Sequence, residues 1–118
     1  MGLKIGGYLF SGPFDIEKAE IRKHQKPVVF AIICREGLPW DPVFRIIDID
    51  ASGPEGIKFA NEPRRPEWDR QGSGENGVYY YKFENREDNT PERREQIVLR
   101  LREDFPPPNS VVPIDGMM

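Results

Sequence analysis

The sequence predicts an α/β fold of the α+β type, in which a small, mainly antiparallel central sheet is flanked by helices. Residues 28–34 form a nearly continuous apolar run, typical of a central strand that is buried on both faces. Residues 43–50 alternate in polarity, and residues 77–83 are rich in aromatic and β-branched side chains, so both favour strands. A loop over 35–42 suits a hairpin between the first two strands. Residues 91–105 place their apolar side chains at helical spacing.

The segment before the central strand is predicted to be less regular. Leu3–Phe10 is a candidate strand interrupted by two glycines, and we expect its Gly6–Phe10 part to add an edge strand. Residues 11–14, Ser-Gly-Pro-Phe, predict a turn. The densely charged residues 15–26 predict a loop or a short exposed helix.

The strand over 43–50 is predicted to turn directly into a helix, and this segment is where we expect any function. Ser52–Glu55 fits a capping box, in which the serine oxygen accepts from a first-turn amide and the glutamate reaches back. We therefore expect a helix from about 53 to 62. Pro63 and Pro66 are predicted to stop it.

The second half of the chain predicts a further turn of helix, a strand and a long last helix. Residues 66–70 suit the short turn, with their tryptophan packed inwards. Thr90-Pro91 supplies a cap and a first-turn proline for the last helix. We expect the charged side chains of that helix to form a solvated face with intrahelical pairs. One domain is predicted over residues 1–109, followed by a mobile tail over 110–118.

The composition limits the classes of function that are open to the chain. Its 118 residues carry 17 Lys and Arg against 20 Asp and Glu, for a net charge of -3. Nucleic-acid binding would therefore require the basic residues to be segregated onto one face. The single cysteine, Cys34, excludes an internal disulfide, and no apolar run reaches the length of a membrane span. We expect a cytoplasmic, reduced protein with no small-molecule cofactor and no membrane association.

Several short patterns in the chain, each weak alone, resemble one family when taken in order. They are Gly6–Phe14, the strand over 28–33, Ile47–Gly53, Gly56, Ala60-Asn61, Arg64-Arg65, Trp68 and the late helix running into Pro107-Pro108. Their order resembles a small single-domain branch of the GIY-YIG nuclease superfamily, over nearly all of residues 5–109. The resemblance implies a GIY-YIG-like fold.

The resemblance also implies where an inherited nuclease centre would lie. Such a centre needs a hydroxyl or imidazole to help activate water, an arginine to stabilise phosphate charge and a carboxylate to hold a divalent ion. The positions matched to that centre in this chain are Phe30, Asp48, Asp50, Lys58, Glu62, Val98 and Asn109. Phe30 replaces a signature tyrosine and Val98 replaces the metal-binding glutamate, whereas Asn109 matches the terminal asparagine. The resemblance therefore implies a catalytically degenerate member.

Two functions stay open from the sequence. The first is a degenerate domain that binds nucleic acid or regulates a protein partner. Its candidate binding residues are Lys58, Arg64, Arg65 and Arg70. Interleaved acidic residues fit a plain solvated surface equally well. The alternative is a metal-dependent nuclease or phosphoesterase with a rebuilt site, because Asp48 and Asp50 alternate onto one strand face. There they would hold Mg²⁺ or Mn²⁺ together with Glu62 or Asp69.

Overall fold

The computed structural model describes residues 2–72 and 75–113, and its centre is a six-stranded antiparallel sheet. The strands are β1 (Gly2–Ile5), β2 (Tyr8–Asp15), β3 (Glu20–Ile21), β4 (Val29–Leu38), β5 (Asp41–Ala51), β6 (Ile57–Lys58), β7 (Glu75–Tyr81) and β8 (Ser110–Val111). Six of them form the sheet in the order β1-β2-β7-β4-β5-β8, and β3 pairs with β6 separately. All of these pairs are antiparallel.

Two helices cover opposite faces of the six-stranded sheet. They are α1 (Arg65–Gln71) and α2 (Pro91–Asp104). One core cluster joins α2 to Val29, Ala31 and Ile33, and the other joins α1 to the alternate residues of the same strand. Because successive strand residues point to opposite faces, the helices lie on the two sides of β4. The predicted α+β class and the predicted last helix are confirmed.

The central position predicted for residues 28–34 is confirmed. Strand β4 lies between β7 and β5, and Val29–Cys34 are all buried. The predicted cap of α2 is also confirmed, since the backbone N–H of Arg93 donates to Thr90 Oγ1 at 3.1 Å. The loop predicted over 35–42 is wrong in extent. The two strands stay paired as far as Leu38 and Asp41, which leaves only two residues in the turn.

The edge strand predicted over Gly6–Phe10 is wrong. This segment turns through Gly6 and Gly7, whose φ angles are 57° and 89°, and the hairpin makes β1 the edge strand. Glycine adopts such positive φ angles at little cost. Residues 11–14, predicted as a turn, continue β2 through a register shift against β7. Residues 15–26, predicted as a loop or a helix, include the short strand β3.

The helix predicted over 53–62 is also wrong. Ser52 does not cap a helix. Its N–H donates to the carbonyl of Val28 at 2.9 Å, and its Oγ accepts from the Val28 N–H at 2.9 Å. The chain then forms β6 and a 3₁₀ turn at Phe59–Asn61. Ile57 and Phe59 lie two residues apart and pack into one core cluster, which an extended segment permits.

The predicted helical turn over 66–70 is confirmed and is longer than expected. Helix α1 begins at Arg65, and Trp68 is buried in the core beneath it. Pro66, predicted to stop the preceding helix, instead lies in the first turn of α1, where a missing backbone N–H costs nothing. The helix of this region therefore begins between the two prolines and does not precede them.

Replacement of Ser52 tests this correction. Ser52→Ala is expected to lower the free energy of unfolding by about 1–2 kcal/mol, because the N–H of Val28 loses its side-chain acceptor. Glu55→Ala, which removes the other half of the predicted capping box, should change stability by less than about 0.5 kcal/mol. Urea unfolding of both variants measures the difference. If Glu55→Ala lost as much stability as Ser52→Ala, the result would support the capped helix that the sequence predicted.

The tail predicted over 110–118 is wrong for its first residues. Ser110–Val111 form β8 and pair with β5 at the second edge of the sheet. Val112 is buried, and its N–H donates to the carbonyl of Phe44 at 2.8 Å. The sheet therefore includes residues beyond 109, whereas residues 114–118 lie outside the described part of the chain.

Neither α1 nor α2, the two described α-helices, has the length and apolar character needed to cross a membrane.

Candidate functional site

The positions matched to a nuclease centre converge only in part in the structure. Phe30 is fully buried on the face of the sheet that α1 covers, with its ring centroid 5.0 Å from that of Phe59. Val98 is 5% exposed and packs on the opposite face, beneath α2. Lys58 and Asn109 are exposed, on β6 and just before β8. The sheet separates Phe30 from Val98, so these side chains form no common site.

Three of the matched positions do meet at the end of β5, together with two arginines. Asp48 and Asp50 lie opposite Ile32 and Phe30, which places both carboxylates on the α1 face. The members of this group, which we name the arginine-carboxylate cluster, are Asp48, Asp50, Glu62, Arg64 and Arg102. Three carboxylates and two guanidinium groups thus share one corner of the molecule.

Arg64 lies at the centre of the arginine-carboxylate cluster. Its Nη1 donates to Asp50 Oδ2 at 2.5 Å and lies 3.7 Å from Asp48 Oδ2. Its Nε and Nη2 both donate to Glu62 Oε1, at 3.0 and 2.8 Å. The guanidinium carbon lies 5.2 Å from the ring centroid of Trp68, within range of a cation–π interaction. Arg64 is therefore fixed both by its partners and by an aromatic surface.

Arg102 reaches the same cluster from α2. Its Nε donates to the carbonyl of Ile49 at 2.8 Å, and its Nη2 donates to Asp48 Oδ1 at 3.4 Å. The solvated face with intrahelical pairs predicted for α2 is therefore wrong at Arg102, although Arg100 does lie 4.0 Å from Asp104. Strand β8 pairs with β5 only near Arg45, so the backbone of Ile49 is open to a side-chain donor.

Every oxygen of Asp48 and Asp50 accepts a hydrogen bond from the chain itself. The two Oδ1 atoms accept from the backbone N–H groups of Ile49 and Ala51, each at 2.8 Å. Asp48 Oδ2 accepts from Trp68 Nε1 at 2.9 Å, while Asp50 Oδ2 accepts from Arg64. These carboxylates are thus fully engaged. Within residues 2–72 and 75–113, no three His, Cys, Asp or Glu side chains are grouped so as to hold a metal ion.

The electrostatics of the cluster favour the charged forms of Glu62 and Arg64. Burial by itself raises the pKa of Glu62, but the hydrogen bonds and charge of Arg64 outweigh it and the pKa is lowered. Burial likewise opposes the charge of Arg64, yet its bonds to Glu62 and Asp50 raise its pKa. At neutral pH the arrangement is therefore an ion-pair network. It suits a structural role, because its charges face each other.

The other candidate binding arginines are also neutralised by neighbours. Arg65 lies 2.6 Å from a carboxylate oxygen of Glu17 and 3.0 Å from one of Asp69. Arg70 forms a close ion pair with Glu67. Lys58 is exposed and forms no ion pair with any described residue. Three of the four predicted binding cations therefore already have acidic partners.

The comparisons with known proteins identify no relative: the chain matches no protein-family model, no curated protein and no solved structure. The resemblance to the GIY-YIG superfamily therefore stays a prediction.

Proposed function

We propose that this chain is a binding module that contacts its partner without cutting it, and that the arginine-carboxylate cluster stabilises the fold. The observation that argues against cutting is the engagement of all four oxygens of Asp48 and Asp50 by donors of the chain. A hydrolytic divalent ion needs oxygen ligands and an open position for water. Here the same oxygens bind Arg64, Trp68 and the backbone.

The proposed GIY-YIG-like identity fits this function as a degenerate member of that superfamily. Its support is the order of the short sequence patterns alone, because Lys58 lies on β6 and not on a helix, and the sheet separates Phe30 from Val98. Binding would then be the property that such a domain retains.

A rebuilt metal site is the second candidate, because the carboxylates of Asp48, Asp50 and Glu62 all lie beside the guanidinium group of Arg64, although as placed they are not grouped so as to hold a metal ion. In that function, Mg²⁺ or Mn²⁺ would have to displace Arg64 and take its place between Asp50 and Glu62. The displaced guanidinium group would also lose its position over the Trp68 ring.

A cleavage assay distinguishes these two functions. The purified protein with Mg²⁺ or Mn²⁺ is expected to leave single-stranded and duplex DNA and RNA intact, because the oxygens of Asp48 and Asp50 already accept hydrogen bonds from the chain. Asp50→Asn and Asp104→Asn serve as matched variants, one inside the cluster and one on the outer surface of α2. Metal-dependent cleavage that only Asp50→Asn abolishes would show a rebuilt site.

A further inference from the structure

A cleft outside the arginine-carboxylate cluster collects basic side chains that the sequence analysis did not single out. It lies between the segment over 18–28 and the residues that follow β7, and its volume is about 970 Å³. The basic residues that line it are Lys18, Arg22, Lys26, Lys82 and Arg86. Among the described residues that line it, only Glu20 and Glu84 carry the opposite charge. On a chain with a net charge of -3, this cleft is a local concentration of positive charge.

The cations of the cleft have fewer acidic partners than the arginines of β5 and of the α1 region. Within the described ranges, four of the five form no ion pair, and the fifth, Arg22, lies 3.6 Å from Glu20 in an exposed contact. By contrast, Arg45, Arg64 and Arg65 each have a carboxylate oxygen within 3 Å. The pKa of Lys26 is lowered, first by desolvation and then by the charge of Arg86. These like charges face the same space, which favours an anion between them.

An aromatic pair lies in the same cleft. The rings of Phe14 and Tyr80 are stacked, with centroids 4.9 Å apart and planes inclined at 28°. Phe14 remains 42% exposed, so part of its ring surface is available to a further planar group. Burial, and then the charge of Glu20, raise the pKa of Tyr80 to about 12, so its hydroxyl is protonated at neutral pH.

The two sides of the cleft are linked before any ligand arrives. Asn89 Nδ2 donates to the carbonyl of Pro27 at 2.9 Å, and Asn89 Oδ1 accepts from Arg94 Nη1 at 2.5 Å. Arg94 is itself buried in α2. This link joins the segment that carries Lys26 to the one that carries Arg86. The two backbone segments that flank the cleft are thus tied together.

We infer that this cleft binds single-stranded nucleic acid, with phosphates against Lys26, Lys82 and Arg86 and a base against Phe14. The inference rests on the proposed binding function and names its partner. Aromatic side chains within a basic groove suit single strands, because unpaired bases can stack on them while the phosphates meet the cations. A duplex keeps its bases stacked internally, so it can use only the charges.

The test measures the anisotropy of a labelled single strand of about twelve nucleotides. Lys26→Glu with Arg86→Glu is expected to weaken binding at least tenfold and to reduce the slope of log K against log salt by about 1.4, since two phosphate contacts are lost. The matched control is Lys4→Glu with Arg100→Glu, which changes the net charge equally at exposed residues outside the cleft and should have much less effect.

The aromatic contribution is tested separately with Phe14→Leu. This variant is expected to weaken binding about tenfold while leaving the salt slope unchanged, since it removes a stacking surface and no charge. Trp40→Leu is the matched control, because Trp40 is 79% exposed at the tip of the β4–β5 hairpin, away from the residues that line the cleft.

Several outcomes would overturn the inference. They are the absence of binding, equal affinity for a duplex, for inorganic polyphosphate or for a single nucleotide, and insensitivity to the cleft variants. The proposed function fails differently, through metal-dependent cleavage. A protein that neither cuts nor binds the strand contradicts only the inference. A protein that binds through the cleft and also cuts contradicts only the proposed function.

Discussion

Val98→Glu is expected to lower the free energy of unfolding by about 2–5 kcal/mol, and added Mg²⁺ should not restore it. Val98 is 5% exposed and belongs to the apolar core beneath α2, together with Ile46 and Ile49. A carboxylate there must either lose its charge or disrupt the packing. The matched position in a nuclease centre would instead tolerate the glutamate and use it to bind metal.

Leu99→Glu is the control for this prediction, because Leu99 is the next residue of the same helix and is 58% exposed. Its effect on stability should be less than about 0.5 kcal/mol. Thermal melts of both variants with and without Mg²⁺ make the comparison. If Val98→Glu melted like the parent protein, or if Mg²⁺ raised its melting temperature, the assignment of Val98 to the core would be wrong.

Arg64→Leu should lower the free energy of unfolding by about 1–3 kcal/mol at neutral pH. Arg64 is the main counter-charge of Asp50 and Glu62, and its removal leaves carboxylates that are only partly accessible to water. Removing one partner of a fully buried ion pair lowers the free energy of unfolding by more than this. Because Arg64 is itself about one-third exposed, solvent screening makes the expected loss of stability smaller.

The loss caused by Arg64→Leu should shrink as the pH falls. In the parent protein the pKa of Glu62 is lowered from its ordinary value of 4.5. Its ion pair therefore adds stability at pH values above 4.5, and this stability is lost as the pH falls through the lowered pKa. Without Arg64, burial and Asp50 both raise this pKa, so Glu62 destabilises the variant at neutral pH. Protonation relieves that cost, and the difference between the two proteins should be smallest near pH 4.

Arg70→Leu is the control for the Arg64 variant. Arg70 is an exposed arginine of α1 whose partner Glu67 is also well exposed. Its loss should cost less than about 1 kcal/mol, with little change in pH dependence. Urea unfolding between pH 4 and pH 7 compares the two variants. If the two variants lost equal stability at every pH, the structural role assigned to the arginine-carboxylate cluster would be wrong.

The strands and the last helix were predictable because their patterns extend over many residues. The apolar run of β4 and the stripe of α2 leave few alternatives, since each must bury a whole face. The order of the strands was not predictable from these patterns. Strand β7 lies between β2 and β4, and this pairing depends on contacts between segments far apart in the chain.

The helix predicted at 53–62 shows how a local signal can be overruled. Ser52–Glu55 has the residues of a capping box, but the hydrogen bonds of Ser52 go to Val28, which is 24 residues away. Gly56 confirms the close approach of this loop to β3, because a Cβ there would lie 2.1 Å from the Ile21 carbonyl oxygen. Such contacts between distant segments cannot be predicted from the pattern of neighbouring residues in the sequence.

The candidate site was predictable only in part. The alternation of Asp48 and Asp50 correctly indicated that they share a face, because that follows from the period of a strand. Arg102 was not identified, since it lies more than 50 residues from its partners and looks like any exposed helical arginine. The basic cleft was also missed, because its cations come from separate segments of an acidic chain.

The most direct test of the account follows one labelled single strand with the protein and Mg²⁺, measuring its anisotropy and its length in the same sample. The account predicts that the strand is bound, that binding weakens as salt rises, and that its length is unchanged. Shortening of the strand that depends on Mg²⁺ and disappears in Asp50→Asn would contradict it, because the cluster would then hold a catalytic ion.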